Sequence, residues 1–182
     1  MSTYIAHAIE RITPPASEPV TLAEAKNYLR VEHTADDALI GLMITAARES
    51  AEAYLGTSFI TQRWKMTVED GLPERVTLRY GLVQGIVSIV EKTEAGGSTT
   101  LDASAYRLSI DKRAVHILSP RTGFRFEITY DAGYGATASL IPGLIRQGVL
   151  QHVAAMYEQR EMSVPMPAMA LQAYHPYKEI SL

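Results

Sequence analysis

One change of hydrophobic period most constrains what this chain can fold into. Between Thr21 and Gly56 the apolar residues recur every three to four positions, and from Phe59 they alternate. A sequence that passes from a 3.6-residue to a two-residue period specifies helix first and sheet afterwards. On the helical side, Thr21 followed by Glu24 has the form of a capping box, with Leu22, Ala25 and Leu29 on one face, which predicts a helix over 22–30. Thr34-Ala-Asp-Asp37 repeats that logic, with two carboxylates at the positive end of a helix dipole. Leu39, Ile40, Met43, Ala46, Ala47, Ser50, Ala51 and Tyr54 then form an apolar stripe rich in small residues. Gly56 stands where a left-handed C-cap belongs, so a second helix is expected over 35–55.

The β side consists of six short runs, FITQRWKMTV, RVTLRY, GIVSIVEK, YRLSI, AVHIL and FRFEITY, rich in β-branched and aromatic residues. The turns between them are too brief for helical crossovers, so residues 59–130 are expected to form antiparallel hairpins. Pro142 opens a third helix over 142–160, with Ile141, Leu144, Ile145, Val149, Val153, Met156 and Tyr157 on its buried face. The expected fold is α+β: a small helical bundle of two N-terminal helices and one C-terminal helix, with an antiparallel β-rich insertion. Residues 21–161 make the domain. Residues 1–20, with Pro14, Pro15 and Pro19, read as an extended lead-in. Residues 162–182, broken by Pro165, Pro167 and Pro176, read as an extended Met/Pro-rich tail apolar enough to dock on another molecule.

Composition removes several functions. The net charge of -3 offers no overall basic field for nucleic acid or an acidic membrane surface. The absence of cysteine excludes disulfides, thiolate catalysis and cysteine-ligated metal, and suits a reducing compartment. No apolar run approaches the ~18 residues of a membrane span, and the N-terminal residues lack the pattern of a secretory signal. Synthesis and folding in a cytoplasm are expected.

Gly133-Tyr-Gly135-Ala-Thr-Ala138 fits the G-x-G-x-x-A form of a dinucleotide fingerprint. That chemistry needs a strand running directly into a helix whose amides meet the pyrophosphate, with a second parallel strand beyond it. Here the helix starts about seven residues past Gly135 and no strand follows it. Gly133 and Gly135 are therefore read as a structural turn. The five histidines are scattered, Asp36 and Asp37 are explained by the helix dipole, and no serine has a nucleophile elbow. No catalytic, cofactor-binding or metal-ligating set emerges, so no cofactor and no enzymatic activity are expected. One basic cluster remains, Arg107, Lys112, Arg113, Arg121 and Arg125, read as a solvated or intersubunit face ahead of a nucleic-acid-reading one.

The order of certain motifs resembles a known family. Pro19-Val-Thr-Leu-Ala-Glu-Ala-Lys26 with Leu29-Arg-Val31 is similar to the opening of head–tail connector proteins of long-tailed phages and phage-derived gene transfer agents. Asp36-Asp37-x-Leu-Ile40, Ala46-Ala-Arg-Glu49 and Glu52-Ala-Tyr-Leu-Gly56 continue the likeness. Ile128-Thr-Tyr-Asp-Ala-Gly-Tyr-Gly135, Ile141-Pro142, Gln151-His-Val153 and Tyr157-Glu-Gln-Arg160 extend it to about residue 161. The resemblance implies a structural adaptor that forms a ring, twelve-fold in the family, under the portal protein at the neck of the particle. Such a ring extends the channel for double-stranded DNA, without sequence specificity, and docks the stopper or tail protein. It also implies a C-terminal tail that inserts against the portal, for which Met166, Met169, Leu171, Tyr174 and Tyr177 are the candidates. The basic cluster would then line the channel or pair with an acidic neighbour. A tail-terminator or stopper of the same particle is the alternative, and a nucleotide-binding enzyme using the Gly133–Gly135 turn is a distant one.

Overall fold

A computed structural model describes residues 8–178, which form two compact units. The first seven residues of the expected lead-in and the last four of the expected tail lie outside the described residues.

The β unit comprises residues 8–15 and 61–133. Its strands are β1 (Ala8–Thr13), β2 (Gln62–Glu69), β3 (Arg75–Thr77), β4 (Val83–Lys92), β5 (Ser98–Thr100), β6 (Tyr106–Leu108), β7 (Ala114–Ile117) and β8 (Arg125–Ala132). They form a five-stranded sheet of order β1-β2-β8-β4-β5 and a three-stranded sheet of order β3-β7-β6, antiparallel throughout. β2 and β8 alternate buried and half-buried residues along their whole length. Their register sets Trp64 opposite Tyr130, Met66 opposite Ile128 and Val68 opposite Phe126, so one face of the sheet is apolar. The small sheet adds Val76, Val115 and Ile117 to the same core. Within that core Trp64 and Tyr80 stack, with centroids 4.1 Å apart and planes 7° from parallel. The Tyr130 hydroxyl donates to the Arg79 carbonyl at 2.7 Å, and burial pushes its pKa well above the ordinary tyrosine value.

One expectation for this region is corrected, and two strands are added to it. The insertion is not a run of hairpins: β2, β8 and β4 pair across long sequence separations, because alternation identifies a strand but not its partner. β5 was not foreseen, as its three residues are polar and exposed. The lead-in contains β1, which pairs with β2 at the sheet edge and ends just before Pro14 and Pro15.

The helical unit comprises residues 16–60 and 134–178. Its helices are α1 (Leu22–Leu29), α2 (Asp37–Leu55), α3 (Gly143–Gln159) and α4 (Ala168–Tyr174). Ile40, Met43, Ala47 and Ala51 of α2 meet Ile145, Val149, Val153 and Met156 of α3 in one core, all at most 1 % exposed. The Thr21–Glu24 capping box forms as expected. The backbone amide of Thr21 holds the Glu24 carboxyl below its ordinary pKa, helped by the Thr21 hydroxyl and Arg146. The box expected at α2 does not form. Asp36 is the N-cap without a side-chain bond to the helix, and instead accepts from the Tyr157 hydroxyl of α3 at 2.6 Å. Asp37 accepts from Lys26 of α1 at 2.5 Å. Both carboxylates thus tie α2 to its neighbours. Gly56 is the left-handed C-cap expected.

The tail is also corrected. Ala168–Tyr174 is a helix, and its Ala170 and Tyr174 are fully buried in the unit's core. Pro167 sits at its N-cap position, so the proline that argued against an element begins one.

Candidate interaction surfaces

The glycine turn is occupied by the fold itself. Gly133 and Gly135 have φ of 143° and 156°, a region that strains other residues. The Gly133 amide donates to Leu82 in the β unit, and the Tyr134 amide donates to Phe59 in the helical unit. A side chain at Gly135 would strike Leu140. Gly143, the first residue of α3, is far enough along the chain that its amides do not crown the glycines. The turn passes the chain from strand to helix, with the Gly133 and Tyr134 amides engaged by backbone carbonyls.

A buried ionic set, not foreseen from sequence, braces the helical unit. Arg48 lies between Glu18 at 2.8 Å and Glu52 at 2.9 Å, and Glu52 also accepts from the Phe59 amide at 2.7 Å. Burial alone would lower the Arg48 pKa; the carboxylates of Glu18 and Glu52 outweigh it and raise the value. Every member is answered within the unit, which marks the set as structural. His152, also buried, engages the Val164 carbonyl through Nε2 at 3.0 Å and holds the start of the tail. Among the described residues no group of three His, Asp or Glu side chains could hold a metal, and no helix is long and apolar enough to cross a membrane.

The tail residues separate by position. Tyr174 is fully buried, its ring lies against Gly148 of α3, and burial raises its pKa. It is an anchor inside its own unit. Met166 and Tyr177 are partly buried against the same core, whereas Met169 is 64 % exposed. Leu171 lines an open groove of about 420 Å³ with Tyr54, Gln172, His175 and Pro176, and the Lys178 ammonium sits 4.2 Å over the Tyr54 ring.

The structure divides the basic cluster between the two sheets. Arg125 of β8 pairs with Glu69 at 2.9 Å, and Arg121 lies 3.6 Å from Glu91. Lys112, at φ 56°, is in the β6–β7 turn with Arg113, whose side chain lies against Gly81. Arg107 is on β6, where it stands directly opposite His116 of β7. On the other side of β7, His116 stands opposite Arg75 of β3. Three side chains of basic type thus form one row across the small sheet, on the face turned away from Val76 and Val115. They line a groove of about 510 Å³ with Ser109, Asp111, Leu108 and Ile110 of the β6–β7 hairpin. Arg75 and His116 were not part of the cluster read from sequence. They are 41 residues apart, and only the strand register brings them together.

The sequence model described as phage gp6-like head-tail connector protein matches residues 19–121. No curated protein matches the chain in sequence. Several solved chains share its fold, among them three from gene transfer agent particles. One, from the neck of an empty gene transfer agent (GTA) particle computed with C6 symmetry, is 21 % identical with a TM-score of 0.83, over 96 % of this chain and 97 % of its own. One from the virion of a native GTA particle is 23 % identical with a TM-score of 0.81, over 96 % of each. The third, from the neck of a native GTA particle computed with C12 symmetry, is 21 % identical with a TM-score of 0.80, over 96 % of this chain and 97 % of its own.

Proposed function

The chain belongs to the phage gp6-like head-tail connector protein family, and we propose that it is the adaptor of a tailed-phage or GTA particle. In this reading copies of the chain form a closed ring beneath the portal, continue the DNA channel and present a docking surface to the stopper or tail protein. The carrying observation is agreement of the whole fold, helical unit and β unit alike, with chains from GTA necks. The C6 and C12 symmetries of those particles fit a ring, which requires two different faces per subunit meeting head to tail. The role is structural: the glycine turn, His152 and the Asp36–Asp37 pair all serve the fold.

For the tail, the reading keeps the exposed Met169 and the groove at Leu171 as portal-facing candidates, with Met166 and Tyr177 at their margin. Tyr174 is withdrawn from that role because it is buried. The experiment is a reconstruction of purified particles together with binding to purified portal. A ring of this chain in contact with the portal is expected. A ring lower in the neck without portal contact would make it a stopper or tail-terminator, and no copies in the neck would reject the reading.

A further inference from the structure

The row Arg75–His116–Arg107 is unusual in what it lacks. Cross-strand neighbours lie about 5 Å apart, where like charges destabilise a sheet and opposite charges stabilise it. The side chains of Arg107 and His116 make no hydrogen bond or ion pair among the described residues. Arg75 reaches the Thr77 hydroxyl at 3.2 Å and stands 3.9 Å from Asp111. Asp111 is the one acid lining the groove, and it is already held by the Ser109 hydroxyl and the Arg113 amide. Two arginine forks and an imidazole therefore face a groove that supplies them one engaged carboxylate. Beside them Ile110, at the hairpin tip, is fully exposed.

We infer that this groove is an oxyanion site for a carboxylate-bearing, partly apolar protein surface, and that its occupant is the outer face of α2 in a second copy of the chain. The inference rests on the ring-forming adaptor reading. Arginine forks suit carboxylates and phosphates equally in geometry. The neighbouring aliphatic tip favours a protein, because arginine with large apolar residues is the composition of interface cores, and Asp111 at the groove opposes a polyanionic backbone. Charge selects the second copy. Residues 1–15 and 61–133 carry eleven bases against ten acids, and residues 16–60 and 134–182 carry six against ten. On the second group, α2 exposes Leu42 at 63 % and, seven residues on and so on the same helix face, Glu49, whose carboxylate reaches Arg48 at 3.5 Å and remains exposed. An apolar residue and an acid on one face match Ile110 and the arginine row, and two unlike surfaces meeting in this way are what a closed ring needs.

The test places a photocrosslinking benzoylphenylalanine at Ile110 in an affinity-tagged chain, co-expressed with untagged wild type in the particle-producing host. Crosslinks between tagged and untagged chains are then mapped by peptide mass spectrometry. The expected result is a crosslink into residues 38–53 of the untagged copy. Arg75→Glu/Arg107→Glu should reduce it at least tenfold without lowering the melting temperature, and Glu49→Arg in the partner should restore it. A crosslink to another protein, to DNA or to a different segment, or no inter-copy crosslink, overturns the inference. Particle maps separate this from the adaptor reading. A neck ring without the crosslink rejects only the interface. The crosslink in a chain absent from the neck rejects only the adaptor reading.

Discussion

The two sheets of the β unit differ in how many of their outward cations are met by an acid. On the large sheet three of the five cations stand across from an acid: Arg63 opposite Asp131 with two hydrogen bonds of 2.8 and 2.9 Å, Lys65 opposite Glu10, and Arg125 opposite Glu69. Lys92 stands opposite Arg125 but lies 4.0 Å from Glu127, and Arg11 stands opposite Trp64. On the small sheet His116 stands between two arginines. The same ladder geometry thus carries mostly matched pairs in one place and, in the other, three basic side chains with Asp111 as their one nearby acid. Matched pairs are complete within the chain and serve the fold. The side chains of Arg107 and His116 keep hydrogen-bonding capacity that the described residues do not use, and a partner can fill it.

The comparison can be broken first at the core. Ile128 is fully buried, paired with Met66 on one side and Ile89 on the other. Ile128→Ala should cost about 2–5 kcal/mol in denaturant unfolding. If it proved neutral, the large sheet would not be the structural one. Next, the charge patterns can be exchanged. His116→Glu places an acid between Arg75 and Arg107 and should stabilise the protein by about 0.5 kcal/mol while weakening its assembly. Asp131→Arg creates the like-charge pattern on the large sheet and should lower the melting temperature without creating a new contact between copies. A stability loss in His116→Glu would show that the row is not in conflict.

The smallest effect concerns pH. Hydrogen bonds from the Ser109 hydroxyl, then the Arg113 amide, hold the Asp111 carboxyl below its ordinary value. A carboxyl whose folded pKa is depressed contributes stability that is present above its unfolded value and lost as pH falls through the folded one. Protection of the 109–114 amides, measured against intrinsic exchange at each pH, should therefore fall on acidification below the ordinary aspartate range, and Asp111→Asn should remove that pH dependence. A turn whose exchange ignored both changes would contradict the assignment.

What could be read from the residues follows the range of the interactions. The Thr21–Glu24 box and the Gly56 cap are local, and both stand as read. The strands β2 and β8 were visible in their alternation, because one face is buried along the full length. The partners of those strands were not visible, since register is decided across the sheet. The row of Arg75, His116 and Arg107 was hidden for that reason. Asp36 and Asp37 were assigned to local capping when neighbouring helices claim them. The tail helix had a signal that was passed over: Pro167 before AMALQAY, with Ala170 and Tyr174 four apart on one face.

The central claim is that this chain is a ring-forming neck component, and a reconstruction of intact particles tests it most directly. The account predicts density for a closed ring of these subunits against the portal, with the helical and β units both recognisable in each copy. Particles whose neck contains no copy of the chain would contradict it.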